Sequence, residues 1–355
     1  MIELVILDSR NFNVKDYTFT KSYTIIFDSL VENNTIFMVN KPNLNASSND
    51  IIITRGAPKQ YIGIIDKLNT VNNVTTITCV QFSSKFNTTY VGESVTDVNL
   101  GEYIKKIITN NLKNSDDNLQ NLDYLEIENK AQITGAVSLT SNAASNILDV
   151  INTILKGYEL VINYGIEYST SGGFESLKVT IEDVSNEIVI NSKEKFIQNV
   201  EVVDGRIGAV NKLIYYPNSD NVLYKTTYSY YLLDDGTITT DSNAEGRLIP
   251  VVSEIGYYQD KDIYYDAGET LMAKVRTKFA ETTYNHYIKF TINENKAIPI
   301  NSLNLGDRVL FIDEKNQKYN SIVTQLYYND VTGNVQVQLG LNRITLTDKL
   351  LMGGK

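Results

Sequence analysis

The chain has 355 residues, which is long for one hydrophobic core, so two or three domains are expected. Hydrophobic residues make up 42% and charged residues 21%, the balance of a folded protein rather than a disordered one. The formal net charge of −10, with no lysine or arginine cluster to offset it, argues against a surface that binds nucleic-acid phosphates.

Strand patterns fill the first part of the chain, in the runs "IELVILD", "YTIIFDSL", "TIFMVN", "DIIITRG", "QYIGIIDKL" and "VTTITCVQF". These runs are rich in Ile, Val and Thr and are bounded by Asn, Gly, Pro or Asp, which is typical of antiparallel strands. Asn72 and Asn73 stand between the last two runs and predict a two-residue hairpin turn. We therefore predict a β-barrel-like domain over residues 1–95.

The pattern changes to a helical period near residue 96. In "LGEYIKKIITNNL" the apolar residues recur every three or four positions, and "TSNAASNILDVINTILKGYEL" repeats this pattern. Ser141 or Asn142 would cap the second helix, and Gly157 suits the position just after its end. Strand runs such as "YELVINY" follow at once, so residues 96–200 are predicted to form an α+β domain that contains the helices.

The last part of the chain, residues 201–355, reads as a β-rich domain with one helix near residues 268–285. "LLDDGTI" contains the Asp235-Gly236 pair favoured in hairpin turns. "DRVLFIDEKNQKYNSIVTQLYY" predicts a hairpin with its loop at 313–317, and a further hairpin is expected at Gly333-Asn334. The predicted fold class is α+β and predominantly β, with antiparallel β-barrel-like domains and inserted helices.

The inventory of reactive side chains removes several mechanisms. His286 is the sole histidine and Cys79 the sole cysteine, so disulfides within the chain, multi-histidine metal sites and cysteine metal sites are excluded. A serine–histidine–aspartate triad would have to use His286, and no GxSxG elbow is present. No phosphate-binding glycine loop and no calcium loop is present either. We predict no catalytic, metal-binding or cofactor-binding residue and no cofactor.

Two carboxylates would suffice for glycoside hydrolysis, so that mechanism is weighed separately. The candidates are Asp234, Asp235, Asp260 and Asp262. The first two are explained by a turn, and the other two by a solvated loop between strands.

The stretch "LGDRVLFIDEK" also resembles an active-site loop at first sight. Its alternation is better explained by closing hairpins, with Asp307 as a turn residue and Arg308 as an outward or interface side chain.

Tyrosine occurs 24 times and tryptophan is absent. A tyrosine ring buries area while its hydroxyl stays hydrated, which suits protein–protein contact. The segments "YKTTYSYYLL" and "IGYYQDKDIYYD" are therefore candidate subunit contacts, with ordinary packing inside a sheet as the alternative.

The N-terminus "MIELVILDSR" lacks the basic and long apolar regions of a secretory signal. No stretch approaches the roughly 20 apolar residues of a membrane helix. We expect the chain to fold in a bacterial cytoplasm, without membrane insertion.

The order of segments resembles the tail-hub family of siphophages and prophages, which is similar in fold to the hub of contractile-tailed phages. The resemblance spans nearly the whole chain and is carried by "MIELVILDSRNFNV", "YIGIIDKLNTVNNVTTITCVQF", "LGEYIKKIITNNL", "AASNILDVINTILKGYELVINY" and "PINSLNLGDRVLFIDEKNQKYNSIVTQLYY". It rests on segment order and these phrases, not on an invariant motif.

The resemblance implies a structural role in the virion. Such hubs form a ring, usually a homotrimer, at the distal end of the tail tube, which opens for DNA passage. The implied partners are the distal tail protein, the tape measure protein and receptor-binding or fibre proteins. The chain stops soon after the last strands, unlike longer relatives that carry a hydrolase extension, so lytic activity is not carried over. A carbohydrate- or receptor-binding module is the alternative, and a carboxylate-based wall hydrolase a second one.

Overall fold

A computed structural model describes residues 1–30, 32–92, 94–137, 144–158, 160–170, 172–184, 187–206, 208–218, 226–259, 262–263, 269–330 and 334–342. The elements of the first half are the strands β1 (Ile2–Leu7), β2 (Val14–Thr20), β3 (Ser22–Asp28), β4 (Thr35–Val39), β5 (Ile51–Arg55), β6 (Ile62–Val71), β7 (Val74–Gln81), β8 (Thr89–Val91), β9 (Val95–Asn99), β10 (Leu125–Asn129), β11 (Thr134–Val137), β12 (Ala144–Asn146) and β13 (Leu160–Tyr168), with the helices α1 (Leu100–Leu112) and α2 (Ile147–Tyr158).

The second half adds the strands β14 (Phe174–Asp183), β15 (Glu187–Asn191), β16 (Ile197–Asp204), β17 (Lys212–Pro217), β18 (Tyr228–Leu232), β19 (Ile238–Thr239), β20 (Ser253–Tyr258), β21 (His286–Asn293), β22 (Arg308–Ile312), β23 (Lys318–Asn329) and β24 (Asn334–Leu339), and the helix α3 (Glu269–Thr283). None of the helices in these ranges has the length and apolar character needed to cross a membrane.

One large sheet organises the described residues. Its order is β16-β21-β24-β23-β3-β4-β7-β6-β5-β1-β2, with β22 paired to β23 and β15 paired to β22. All of its pairings are antiparallel except that of β15 with β22. The predicted class, predominantly β with antiparallel sheets and a few helices, is confirmed.

The barrel-like closure expected from the sequence is not found. The strand ladder runs open from β16 to β2 in the described part of the chain. The chain turns sharply between β2 and β3, and the Thr20 hydroxyl there donates to the carbonyl oxygens of Ser22 and Met38. Near this corner β2 therefore meets β4 through a side chain in place of a backbone ladder.

The large sheet joins distant parts of the sequence. β3 pairs with β23, so that Ile26 lies opposite Tyr327 and Phe27 opposite Leu326. The sheet thus draws strands from both the first and the last of the three segments predicted from the sequence, and the division into domains at 1–95, 96–200 and 201–355 stays a prediction.

The central strands of the sheet are buried on both faces. In β1, Leu4 and Ile6 belong to one core cluster, whereas Val5 and Leu7 belong to another that contains the inner faces of α1 and α2. The uninterrupted apolar run Leu4–Leu7 follows from this double burial. A third cluster lies under the four-stranded sheet β19-β18-β17-β20 and is closed by α3.

The helices lie close to their predicted positions. The Asn99 side chain caps α1 by accepting a hydrogen bond from the Glu102 amide at 2.8 Å. At α2 the Asn146 side chain accepts from the Asp149 amide at 3.3 Å, while the expected caps Ser141 and Asn142 lie outside the described residues. The prediction for Gly157 is wrong, because α2 continues through Tyr158.

The hairpin predictions are confirmed where the structure describes them. Asn72 and Asn73 both have positive φ, 50° and 66°, as a type I′ turn requires, and Val71 pairs with Val74 across it. The Asp235-Gly236 turn joins β18 to β19, and the loop at 313–317 joins β22 to β23. Gly333 lies outside the described residues.

Two glycines allow backbone strain to be separated from crowding. Gly172 and Gly340 share a φ of +84°, but a Cβ at Gly172 would meet nothing within 4 Å, whereas one at Gly340 would lie 2.0 Å from the His286 carbonyl oxygen. We expect Gly172→Ala to lower the free energy of unfolding by about 1–2 kcal/mol. Gly340→Ala should cost about 1–3 kcal/mol more because it adds the clash. Urea unfolding of both variants measures the difference, and equal losses would contradict this packing.

Candidate functional site

The sole histidine is buried in the large sheet. His286 opens β21, and its Nε2 lies 2.6 Å from the Oγ of Ser321 on β23. Asp204 is opposite His286 in the β16–β21 pairing, but its carboxylate accepts hydrogen bonds from Arg206 at 2.9 and 3.1 Å. The His286 Nδ1 has no hydrogen-bond partner among the described residues.

The three side chains nevertheless do not have the geometry of a triad. In a triad the aspartate binds Nδ1 of the histidine, and the serine faces substrate. Here both His286 and Ser321 are buried, and Asp204 is engaged by Arg206. Sequence reasoning missed Ser321 and Asp204, because the three residues belong to three strands that are brought together only by pairing.

Burial keeps the imidazole neutral. It lowers the pKa of His286 to about 4, with the positive charge of Arg206 acting in the same direction and Asp204 opposing it.

Cys79 is buried on β7, and burial together with Asp66 raises the pKa of its thiol well above the ordinary value. The thiolate needed for nucleophilic chemistry is therefore strongly disfavoured.

The described candidate carboxylates lie in two separate places. Asp234 and Asp235 lie on the β18–β19 turn, where Asp235 accepts a hydrogen bond from the Thr237 amide at 2.8 Å. Asp262 lies elsewhere, buried in an ion pair with Lys274 at 2.8 Å, and Asp260 is outside the described residues. Within the described ranges, no three His, Cys, Asp or Glu side chains are grouped to hold a metal ion.

A cavity of about 620 Å³ adjoins the β18–β19 turn. Asp234 and Asp235 line it together with Asp204, and the Asn320 side chain reaches across from β23 to the Asp235 carbonyl oxygen at 2.7 Å. Asp235 therefore has a structural role in the turn, as the sequence predicted, although the turn opens onto this cavity.

The "LGDRVLFIDEK" stretch forms the start of a hairpin. Gly306 has a φ of +90°, and the Asp307 carboxylate accepts a hydrogen bond from the Asn304 amide at 2.7 Å. Burial raises the pKa of Asp307. Burial also lowers the pKa of Lys59 to about 8, with Asp307 opposing the shift, and the Lys59 amine donates to Leu303 and Asn304 at 2.7 and 2.6 Å.

The sequence predicts Arg308 to be an outward or interface side chain. It is half-buried, and its guanidinium donates to the Tyr284 hydroxyl and lies over the Tyr284 ring. It therefore does not project freely outward, and the interface alternative stays a prediction.

The tyrosine-rich segments divide between packing and exposure. Alternation along the strands turns Tyr215, Tyr230 and Tyr258 into the third core cluster, whereas Tyr216 and Tyr257 point outward. Tyr224, Tyr264 and Tyr265 lie outside the described residues. The packing alternative is therefore confirmed for the inward tyrosines, and the outward ones stay candidate subunit contacts.

The outward face forms an apolar surface, which we call the tyrosine face (Ile214, Tyr216, Ile255 and Tyr257). Parallel pairing of β17 with β20 sets Ile214 beside Ile255 and Tyr216 beside Tyr257. Tyr257 is 62% exposed and Ile255 57%, and β20 is the edge strand of its sheet. A contiguous exposed patch on an edge strand marks an interaction surface.

A second apolar surface lies on β2 and β4, and we call it the N-terminal face (Tyr17, Phe19, Ile36 and Met38). All four side chains are exposed, and β2 is the last strand of the large sheet. Lys41, just beyond β4, donates to the Tyr17 carbonyl oxygen at 3.1 Å and so ties the two strands together. In the strand order this face lies at the opposite end from β16, whose chain leads into the tyrosine face.

Comparison with known proteins identifies the architecture. No protein-family profile and no curated protein sequence matches the chain. A tail protein from Neisseria meningitidis MC58 superposes with a TM-score of 0.55 at 10% identity, covering 96% of both chains. A prophage tail protein from Listeria monocytogenes EGD-e has a TM-score of 0.55 at 10% identity, covering 99% of this chain and 98% of its own.

A 43 kDa tail protein of prophage MuSo2 from Shewanella oneidensis matches equally well, with a TM-score of 0.55 at 8% identity, over 96% of this chain and 98% of its own. The fold is that of phage tail proteins. The predicted resemblance to the phage tail-hub fold is thus confirmed at the level of the fold. At these identities the likeness to tail proteins transfers no residue roles.

The buried imidazole predicts acid sensitivity. The unfolded state takes up a proton near the ordinary pKa of 6.5, whereas the folded state resists protonation down to about 4. Stability from this group is therefore full above pH 6.5 and is lost as the pH falls towards 4. We expect a loss of about 3 kcal/mol in the free energy of unfolding across that window.

His286→Gln supplies the comparison, because it keeps a polar partner for Ser321 and removes the titration. Urea unfolding of both proteins at pH 6.5 and at pH 4 gives the free energy of unfolding that each loses over this range. The contributions of the carboxylates cancel when one loss is subtracted from the other. Parallel pH profiles for the two proteins would contradict the assignment.

Proposed function

We propose that the chain is a structural subunit of a phage tail tip or baseplate. It would form a hub, a trimeric ring that closes the distal end of the tail tube and opens when DNA passes. The observation that carries this proposal is the match of nearly the whole chain to tail proteins, two of which are from prophages. Its location would be the tail tip of the virion, after assembly in the host cytoplasm.

The two exposed apolar surfaces support a ring. A cyclic trimer needs two different, complementary patches on each subunit, because every interface is heterologous. The tyrosine face and the N-terminal face are such a pair, both carrying aromatic side chains on edge strands. Aromatic residues are enriched in the buried centre of protein interfaces.

The charge of the chain also suits a passage for DNA. With a net charge of −10, a ring of three copies would repel phosphates unless its lumen were locally basic. In this proposal the partners are the distal tail protein, the tape measure protein and receptor-binding or fibre proteins, as the resemblance to tail hubs implies.

The tyrosine face favours protein contact over sugar binding. Sugar recognition combines a ring platform with several hydrogen-bonding groups, whereas Tyr216 and Tyr257 are flanked by Ile214 and Ile255. A receptor-binding role through these tyrosines is therefore the weaker proposal.

The ring is tested by one substitution on each face. Tyr257→Asp and Phe19→Asp should each reduce the trimer, three times the 40.0 kDa subunit, to a monomer, because each buries a charge in an apolar contact. Leu119→Asp, at an 88% exposed loop position outside both faces, should leave the trimer intact. Size-exclusion chromatography with light scattering reads out the mass.

Mixing the two variants tests the head-to-tail arrangement. Each variant keeps one sound face, so an equimolar mixture should form a dimer of the two and no ring. A mixture that stays monomeric, or a native protein that is monomeric at all concentrations, would contradict the proposed interfaces.

The hydrolase alternative is tested separately. In a wall-digestion assay on purified peptidoglycan we expect no release of soluble fragments by the native chain, and the same baseline for Asp234→Asn and Asp235→Asn. Digestion that is lost in either variant would instead establish the carboxylate mechanism.

A further inference from the structure

A groove runs beside α2, apart from both proposed ring surfaces. It consists of two adjoining cavities of about 280 and 330 Å³ that share lining residues, among them Ile162, Tyr164 and Leu305. We call this the α2 groove. Its walls come from α2, from β13 and from the loop that precedes β22.

The apolar face of α2 extends beyond the side that is fully buried in the core. Its buried side packs on the core beneath α1 and α2 through Ile147, Val150, Ile151 and Ile154. Leu148 and Leu155, seven positions apart, are only half-buried and line the groove. The two leucines lie at the margin of the apolar face of α2, where they contact the core on one side and border the groove on the other.

The opposite wall of the groove is formed by apolar side chains of a strand. Leu160, Ile162 and Tyr164 alternate along β13 and all line the groove. β13 is an edge strand of the three-stranded sheet β10-β14-β13. The Tyr164 ring is held in place by Phe82 and Phe86, with ring centres 6.1 and 6.3 Å apart. The wall is therefore preformed.

The charge in one of the two cavities has one sign. Asp28, Glu32 and Asp149 line the cavity of about 280 Å³, and no lysine or arginine is among the described residues that line it. The Asp28 carboxylate is engaged by the Leu30 amide and by two side-chain amides, so Glu32 and Asp149, both exposed, set the field at the rim. The adjoining cavity contains Lys59, whose amine is already bound to Leu303 and Asn304.

We propose that the α2 groove is the docking site for an amphipathic segment of another protein. That segment would carry leucine-like side chains on one face and lysine or arginine where it passes Glu32 and Asp149. Apolar anchors would fill the space between Leu148, Leu155 and Tyr164, as in other groove-bound amphipathic segments. The acidic rim selects against anionic segments and against the headgroups of anionic lipids.

The probe is a fluorescein-labelled amphipathic peptide of leucine and lysine, with a leucine–glutamate peptide of the same pattern as its counterpart. Fluorescence anisotropy should show binding of the lysine peptide only. The double variant Glu32→Lys, Asp149→Lys should weaken it about tenfold or more, because two favourable contacts become repulsive. Leu155→Asn should also weaken it, while Leu119→Asn, on an exposed loop, should not.

The matched control removes the effect of overall charge. Asp116→Lys with Glu314→Lys changes the net charge by the same amount at exposed positions that do not line the groove, and it should leave binding unchanged. Equal weakening by the two double variants would show general attraction to an acidic protein and overturn the proposal. Absence of binding by the lysine peptide would overturn it as well. Neither double variant touches the ring faces, so this result is independent of trimer formation.

Discussion

The pairing of β3 with β23 is the constraint on which the rest of the structure depends. It joins strands about 300 residues apart into one sheet, so that the two ends of the described chain share a single core. Without it, the N-terminal strands would end in an exposed edge at β3, and β23 would lose one of its neighbours. The core contacts of Tyr328 and Phe27, whose ring centres lie 6.1 Å apart, cross this junction.

The remaining elements leave that sheet, and they provide the tyrosine face and much of the α2 groove, whereas the N-terminal face belongs to the sheet itself. α1 and α2 cover one face of the N-terminal strands and leave the α2 groove at their margin. The four-stranded sheet and α3 form a separate small core and present the tyrosine face. Recognition surfaces on a rigid frame can vary while the frame is kept, which is consistent with a shared fold at 8–10% identity.

Local rules account for what the sequence predicted well. The Asn72-Asn73 turn and the α1 stripe depend only on neighbouring residues, because a turn needs positive φ and a helix needs a period near 3.6. Gly157 was mistaken for a helix end, since packing of α2 on its core outweighed the intrinsic cost of a glycine. Closure of the barrel would require β2 to pair with β4, and no local sequence pattern indicates whether these two strands pair.

The partner of His286 is a second example of what the sequence could not reveal. Ser321 is an ordinary residue in a strand, and nothing near it marks the contact. The tyrosines were predictable as a group but not by face, since one step in register exchanges the inner and outer sets. Only the pairing of β17 with β20 assigned Tyr257 to the surface, and a subunit contact through this residue stays a prediction.

The long separation between β3 and β23 has a consequence for synthesis. A ribosome adds about 5–20 residues per second, so β3 emerges roughly 15–60 seconds before the strand that covers its edge. During that interval the nascent chain exposes an unpaired edge carrying Tyr23, Ile25 and Phe27. Newly made chains at high concentration would then be able to pair with one another before each is complete. Correct assembly of this protein thus begins with protection of a single strand edge in the growing chain.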